Sequence, residues 1–537
     1  MYQRIAFCLF ILIALTVNAQ VTVQLNSTHQ TIAGFGINNN WAPTLTAATA
    51  DSLFDSTKGL GLSILRIGMG TDGNPVNGNN CWNDIKLAQA RGLKYVIGST
   101  WSPPANYKTN GNVNDGGFLL PADYTAWANI IAAFPAKVKT GSGMDLYAMS
   151  LGNEPDFASC GMTEPCNGNY PTTLMIDTAM VSFIKIVGPK LHALTPSVKV
   201  MAPEASEWLH VWSDSSACCS VPSGKPSSNP LGGKGYDYGH TLYKDATAWA
   251  QLDILGVHQY DSQIAVPWPS DVLTTKPVWQ TEMSGVKWWP DGTPDTTIAN
   301  GVACAGWFHN ALTVGNANAW CWWWWQATGS TNEGLLLSTG ANTKRHYTFG
   351  NYTRFVRPGY IRVDITGSIP ANVLLSAYKG NGKTVIVAIN KNAATATVPI
   401  TISGGTATSF TPYLTSASVN IAAQTAVTVS GGVFTATLPA TSVTTFVGAY
   451  TATAVLNNTA GNNTVHAVSL SYKAGCLFFS SPLPDGTTLA LFNLSGEMIF
   501  KTVAQGASIR LPLLADHVAL WRVEHPNLIA SGRVLLR

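Results

Sequence analysis

Charge is what this chain has least of. Only 11% of its 537 residues are Asp, Glu, Lys or Arg, against about a quarter in an ordinary soluble domain. The formal net charge is +3, with no basic block, so the chain lacks the electrostatic footprint that a nucleic acid requires. No apolar run reaches membrane-spanning length; the longest, at residues 5–17, is too short. No C-x-x-C pair occurs and adjacent Cys218 and Cys219 make poor ligands, so no structural metal is expected. GFGINNN, at residues 34–40, lacks the later glycines of a dinucleotide loop. No G-x-S-x-G elbow stands on a suitable strand, which argues against a serine hydrolase built around His258.

What is present is a large apolar fraction, 46%, with 49 glycines and 29 prolines. That is enough for a sizeable core, and the length implies more than one domain. The chain starts MYQRIAFCLFILIALTVNAQ. A basic residue, an apolar run and a small-residue exit at Ala19 read as a secretory signal peptide over residues 1–19. The mature protein is then expected to be secreted or held at the cell surface. Cys8 leaves with the signal, and export permits disulfides among the remaining cysteines. Cys160 and Cys166 are placed to close a short loop, although sequence alone does not fix the pairing.

Eight short apolar runs recur over residues 31–350: 31–36, 61–67, 93–99, 145–152, 198–202, 252–257, 277–281 and 317–323. Segments such as 44–56, 121–134 and 173–194 can supply helices between them. Eight strand–helix units point to a (β/α)₈ TIM barrel, in preference to an open doubly wound sheet. Residues 351–450 alternate apolar and polar, with Gly and Asn turns, and read as an antiparallel β-sandwich. The strand at the start of residues 20–30 is expected to join it. Residues 451–463 read as a linker, and 464–537 as a small C-terminal β module.

Two glutamates stand at strand ends. Glu154, in SLGNEPDF, follows the fourth run, and Glu282, in KPVWQTEMSG, closes the seventh. A lone strand-end glutamate more often makes a salt bridge. A pair at the mouth of one barrel, among aromatic and amide residues, is the equipment of glycoside hydrolysis. One carboxyl protonates the leaving oxygen; the other attacks the sugar or activates water, and their separation decides between retention and inversion. Trp101, Trp288, Trp289, Trp323 and Trp325 are candidate platforms for sugar rings, among 18 tryptophans in all. Asn153 can donate to a sugar hydroxyl. Arg66 and Tyr260 can hold the attacking carboxylate ionised. His258 is a further polar group at the mouth, and Glu204 a third carboxylate, read as a supporting group or a sugar contact. Asp156 reads as a loop cap.

Together these stretches resemble glycoside hydrolase family 30, a family of retaining (β/α)₈ enzymes. TIAGFG, GLSILRIGMG, TWSPPANYKTNG, DLYAMSLGNEPD, MAPEAS, PVWQTE and FVRPGYIRVD follow in family order from residue 31 to about 450. The resemblance implies that Glu154 is the acid/base and Glu282 the nucleophile of a double displacement needing no cofactor. It also implies a β-sandwich fused to the barrel. The same stretches look most like the bacterial xylanase branch, many of whose members grip a glucuronate side group with an arginine near strand eight. Here CWWWWQATGSTNEGLL contains no arginine, and the strand-seven loop offers only Lys287. The expectation is an endo-β-1,4-xylanase, acting as a monomer on a polysaccharide, without strict glucuronate dependence. A β-1,6-galactanase or β-1,6-glucanase is the runner-up, and a non-catalytic polysaccharide-binding surface protein the remaining alternative. LFNLSGEMIF, HVALWRVEH and SGRVLLR resemble the C-terminal sorting domain of type IX secretion, which implies the secretion machinery as a partner. An accessory carbohydrate-binding module is the alternative.

Overall fold

The computed structural model describes residues 20–114, 116–157, 171–212, 237–260, 265–269, 271–272, 276–285, 294–452, 470–473, 476–479, 483, 485–493, 498–503, 508–511, 518–525 and 528–535. The chain forms two compact units. One holds a barrel and a large antiparallel sheet; the other is built on Tyr450–Arg537 with the short pieces Gln24–Asn26 and Ile402–Thr406.

After β1 (Val21–Thr31), the apolar runs become β2 (Gly34–Asn38), β3 (Ile64–Met69), β4 (Tyr95–Thr100), β5 (Leu146–Ser150), β6 (Lys199–Ala205), β7 (Ile254–His258), β8 (Val278–Glu282) and β9 (Ala319–Gln326). β2 to β9 are parallel neighbours in sequence order, and β9 pairs with both β8 and β2, closing an eight-stranded ring. Nearly every residue of these strands is buried, as expected of strands covered on both faces. Ile64, Ile97, Ala148, Met201, Ile254, Trp279, Ala319 and Cys321 fill the bore as one cluster. Gly36 lets β2 approach this plug: a Cβ there would lie 2.6 Å from Cys321 Sγ and 2.7 Å from Ile64 Cβ.

Helices α1 (Ala47–Phe54), α2 (Asn79–Gln89), α3 (Tyr124–Ser142), α4 (Asp177–His192), α5 (Trp208–Val211), α6 (Tyr238–Lys244), α7 (Ala246–Gln251), α8 (Ile298–Thr313) and α9 (Lys344–Thr353) follow or precede the strands. α1, α8 and α9 start at Thr46, Thr297 and Thr343, whose side chains accept a backbone N–H of the first turn. Among the described residues no helix lies between β7 and β8. Pro267 and Pro269 interrupt that connection, and neither an interior helical proline nor the residue before it is tolerated well.

β1 alternates buried Val21, Val23 and Leu25 with less buried residues and joins the antiparallel sheet. With β10 (Ile361–Gly367), β11 (Val373–Gly380), β12 (Lys383–Asn390), β13 (Ala396–Ser403), β14 (Ser409–Thr415), β15 (Ala422–Ala423), β16 (Val433–Leu438) and β17 (Ser442–Ala449), the path runs β15-β14-β17-β12-β11-β10-β1-β13-β16. This path folds back on itself. Phe434, on the terminal strand β16, stacks on Phe410 of β14 at 4.7 Å between ring centroids and lies 5.5 Å from Phe446 of β17. Two layers with an aromatic core result, which is a sandwich.

In the second unit, Leu470–Lys473, Cys476–Phe479 and Ser508–Arg510 form one antiparallel sheet, and Thr488–Phe492, Met498–Val503, Val518–His525 and Leu528–Leu535 another. Leu477, Leu489, Leu491, Trp521 and Val523 are its buried core. Cys81, Cys304, Cys321 and Cys476 are free thiols; Cys160 and Cys166 lie outside the described residues. No described helix is long and apolar enough to cross a membrane.

Candidate active site

The C-terminal ends of the barrel strands converge on one cluster of charge, and Arg66 is its hub. Arg66 sits two residues beyond Ile64 on β3, above the apolar plug, and is fully buried. Its Nη1 donates to Glu282 Oε2 at 2.7 Å, and Nε and Nη2 fork onto the two oxygens of Glu204, each at 3.0 Å. Nη2 also donates to Asn153 Oδ1 at 2.6 Å and Ser99 Oγ at 3.2 Å. Trp101 caps the guanidinium, its ring centroid 4.7 Å from Cζ. Burial alone would lower the Arg66 pKa, but the charges of Glu204 and Glu282 outweigh it and raise it.

Glu154 and Glu282 meet across this hub. A carboxylate oxygen of each, with a ring nitrogen of His258, lie within 4.8 Å of one another. His258 Nδ1 is 2.9 Å from Glu154 Oε1 and 4.0 Å from Glu282 Oε1. The Tyr260 hydroxyl donates to Glu282 Oε1 at 2.9 Å. Burial, with the neighbouring charges of Glu282 and Glu154, holds the Tyr260 pKa well above its ordinary value, so it remains a donor. Burial lowers that of His258 from its ordinary value, against the opposing pull of the Glu282 and Glu204 charges. Burial raises the pKa of Glu282 from the ordinary carboxylate value; His258 and Arg66 counter it only in part, and Glu154 adds to it. Burial also pushes on Glu204, but the Arg66 and His258 charges and the hydrogen bonds from Arg66 and Ser99 outweigh it and lower its pKa.

Backbone irregularity aims these groups. β6 slips register against β7 between Pro203 and Ala205, leaving Glu204 as the extra residue of a bulge with φ 62°. β7 slips against β8 between Val257 and His258, so that His258 pairs with Glu282. Bulges re-aim side chains beside functional sites. Glu154 has φ 48°, uncommon for a non-glycine residue. Its N–H donates to Glu204 O at 3.0 Å and that of Asn153 to Thr100 O at 2.7 Å, tying the β5 end to β6 and β4.

Most of the residues expected from sequence converge here: Glu154, Glu282, Asn153, Arg66, Trp101, Glu204, His258 and Tyr260. One expectation changes, that of Trp325, and two are narrowed, those of Glu204 and Asn153. Glu204 is fully buried beneath Arg66 and supports the site rather than touching sugar. Asn153 spends Oδ1 on Arg66, which orients the amide with Nδ2 as its donor. Trp325 is fully buried in the core around the barrel and lines no groove. The cause is a register shift between Trp322 and Trp324 where β9 meets β2. Trp323, 8% exposed, stays at the mouth; the shifted Trp325 turns outward. Trp288 and Trp289 lie outside the described residues. Sequence reasoning missed Trp41, which is 39% exposed and packs 5.3 Å from Trp101 and 6.2 Å from Trp323. Its signal was available: it directly follows the strand-end amides Asn38, Asn39 and Asn40.

Comparison with known proteins places this geometry. No family model matches the chain. Glucuronoxylanase XynC of Bacillus subtilis strain 168 is 31% identical over 446 residues, spanning 80% of this chain and 92% of the relative. A GH30 endoxylanase structure from Clostridium papyrosolvens C71 aligns with TM-score 0.63 at 32% identity, over 80% of this chain and 100% of that one. The GH30 subfamily 8 xylanase Xyn30A of Clostridium acetobutylicum aligns with TM-score 0.64 at 29% identity, over 80% and 99%. A catalytic-type pair of glutamates at the mouth of a closed barrel, a fused antiparallel sandwich and relatives covered almost end to end have one reading: this chain belongs to glycoside hydrolase family 30.

Proposed function

We propose that the enzyme is a retaining, endo-acting β-1,4-xylanase, with Glu282 as nucleophile and Glu154 as acid/base. The observation that carries this is the approach of the two carboxylates to within 4.8 Å. Retaining enzymes hold their carboxyls about 5–5.5 Å apart, whereas inverting enzymes leave about 6.5–9.5 Å for a water. Glu282 attacks the anomeric carbon while Glu154 protonates the departing oxygen; Glu154 then takes a proton from the water that hydrolyses the ester. His258 bears on this exchange. Its Nε2 is buried without a partner, so the economical tautomer carries its proton on Nδ1 and donates to Glu154 Oε1. Trp41, Trp101 and Trp323 form an aromatic rim suited to the faces of sugar rings.

Independence from glucuronate rests on the arginine-free stretch after β9. The next arginine, Arg345, is buried and donates to Gly334 O, Asp295 O and Asn300 Oδ1, so it is committed to structure. Export through the N-terminal segment and a sorting role for residues 464–537 belong to the same proposal. Deleting the module should then trap the enzyme in the cell, whereas an accessory module would only weaken polymer binding.

The test is product profiling on linear xylan, glucuronoxylan, β-1,6-galactan and β-1,6-glucan, with the Glu154→Gln, Glu282→Gln double variant as blank. Xylo-oligosaccharide ladders from both xylans are expected. A ladder from glucuronoxylan alone would overturn the independence from glucuronate, and release from a β-1,6-glycan alone would overturn the substrate.

A further inference from the structure

Asp156 and His210 lie outside the reacting pair, yet they form a second buried, hydrogen-bonded ionic group beside it. Asp156 stands two residues after Glu154, and Ser206 two after Glu204. The Asp156 carboxylate accepts from the Ser206 N–H at 3.0 Å and the Ser206 hydroxyl at 2.7 Å. It also pairs with His210 Nδ1, whose other nitrogen reaches Glu207 Oε1 at 3.0 Å. Asp156 is buried. His210 opposes the lowering effect of burial through its hydrogen bonds to Asp156 and Glu207, which push its pKa to about 10. Those contacts outweigh the burial of Asp156 and lower its pKa in turn. The lock is therefore an ion pair through the neutral range.

Its position explains what it holds. It joins the turn after β5, which carries Glu154, to the segment that leaves β6 just past the Glu204 bulge; both glutamates have positive φ. The two segments are also tied through the backbone, by the Glu154 N–H to Glu204 O bond. A left-handed conformation at a glutamate persists only where the surroundings over-determine it. We propose that the Asp156–Ser206–His210 lock is a positioning device for the acid/base: it fixes the left-handed turn that aims the Glu154 carboxyl at the leaving oxygen. This rests on the assignment of Glu154 as acid/base given above.

The test compares wild type, Asp156→Asn and His210→Gln on two substrates: xylan, whose departing sugar needs a proton, and an aryl β-xylobioside with a dinitrophenolate leaving group, which does not. Correctly placed acid catalysis contributes about 10²–10⁴-fold, so loss of aim should lower kcat/KM on xylan by about 10–100-fold. On the activated substrate kcat/KM should stay within about threefold of wild type, because its first step bypasses the proton. Azide, which needs no general base, should restore turnover on that substrate. Melting temperature is read in parallel for both variants. Equal losses on the two substrates, or no loss on xylan in a folded variant, would overturn the proposal. The wild type and Glu154→Gln serve as separate checks of the underlying assignment. If Glu154→Gln itself shows no leaving-group dependence, the acid/base reading fails first.

Discussion

Replacing Arg66 by Met removes one guanidinium and strands two buried carboxylates. Arg66 lies 2.7 Å from Glu282 and 3.0 Å from Glu204. At an effective dielectric of about 20, unit charges centred about 4 Å apart interact by about 4 kcal/mol, and each pKa unit is about 1.4 kcal/mol. Loss of the charge should thus raise the pKa of Glu282 by about one to three units. As the proposed nucleophile Glu282 must be ionised, and burial has already raised its pKa in the wild type. The acid limb of kcat/KM should therefore begin above the ordinary carboxylate value in the wild type and move upward again in Arg66→Met. Arg66→Lys keeps the charge without the fork onto Glu204, and should move the limb by less. Stability follows a separate sign. The Glu204 pKa is lowered by folding, so its pairing stabilises the protein above the ordinary carboxylate range and is lost as pH falls through its folded value. Breaking the pair should cost about 3–5 kcal/mol near neutrality, and the gap in melting temperature between wild type and Arg66→Met should narrow on acidification. A pH–rate profile with parallel melts decides it. A folded Arg66→Met enzyme with an unmoved acid limb would refute the view that Arg66 sets the ionisation of Glu282.

The tryptophans separate by face. Trp325→Ala should cost about 3–5 kcal/mol in chemical denaturation with KM unchanged, whereas Trp41→Ala should raise KM for xylan several-fold with a much smaller stability loss. Tyr260→Phe removes a hydrogen bond to a charged carboxylate, worth about 1.5–3 kcal/mol. It should lower kcat/KM by about 10–100-fold and shift the acid limb upward, read from the same pH profile.

Where the sequence was legible, the reason was periodicity and burial. The ring strands are covered on both faces, so each appears as a compact apolar run between turn residues, and β2 to β9 fall on the eight runs to within a few residues. The two glutamates were visible because a strand that ends at a barrel mouth must point whatever follows it at that mouth. Among the described residues the β7–β8 connection carries no helix, and Pro267 and Pro269 lie within it.

What stayed hidden depends on phase rather than composition. In AWCWWWWQ strict alternation puts Trp323 and Trp325 on one face, and only the register shift against β2 separates them. A shift of that kind arises from how a strand fits its neighbour, so no property of the strand's own residues announces it. The same holds for Glu204. As a residue of the MAPEAS stretch it is one more carboxylate at a strand end; as the extra residue of a bulge it turns beneath Arg66 and becomes half of a buried pair. The chemistry of this site is thus written in residue types at strand ends, while its geometry is set by two bulges and two left-handed glutamates. The consequence is that substitutions which restore regular strand register near residues 203–205 should damage the site as surely as loss of a carboxylate, although they touch no reacting atom.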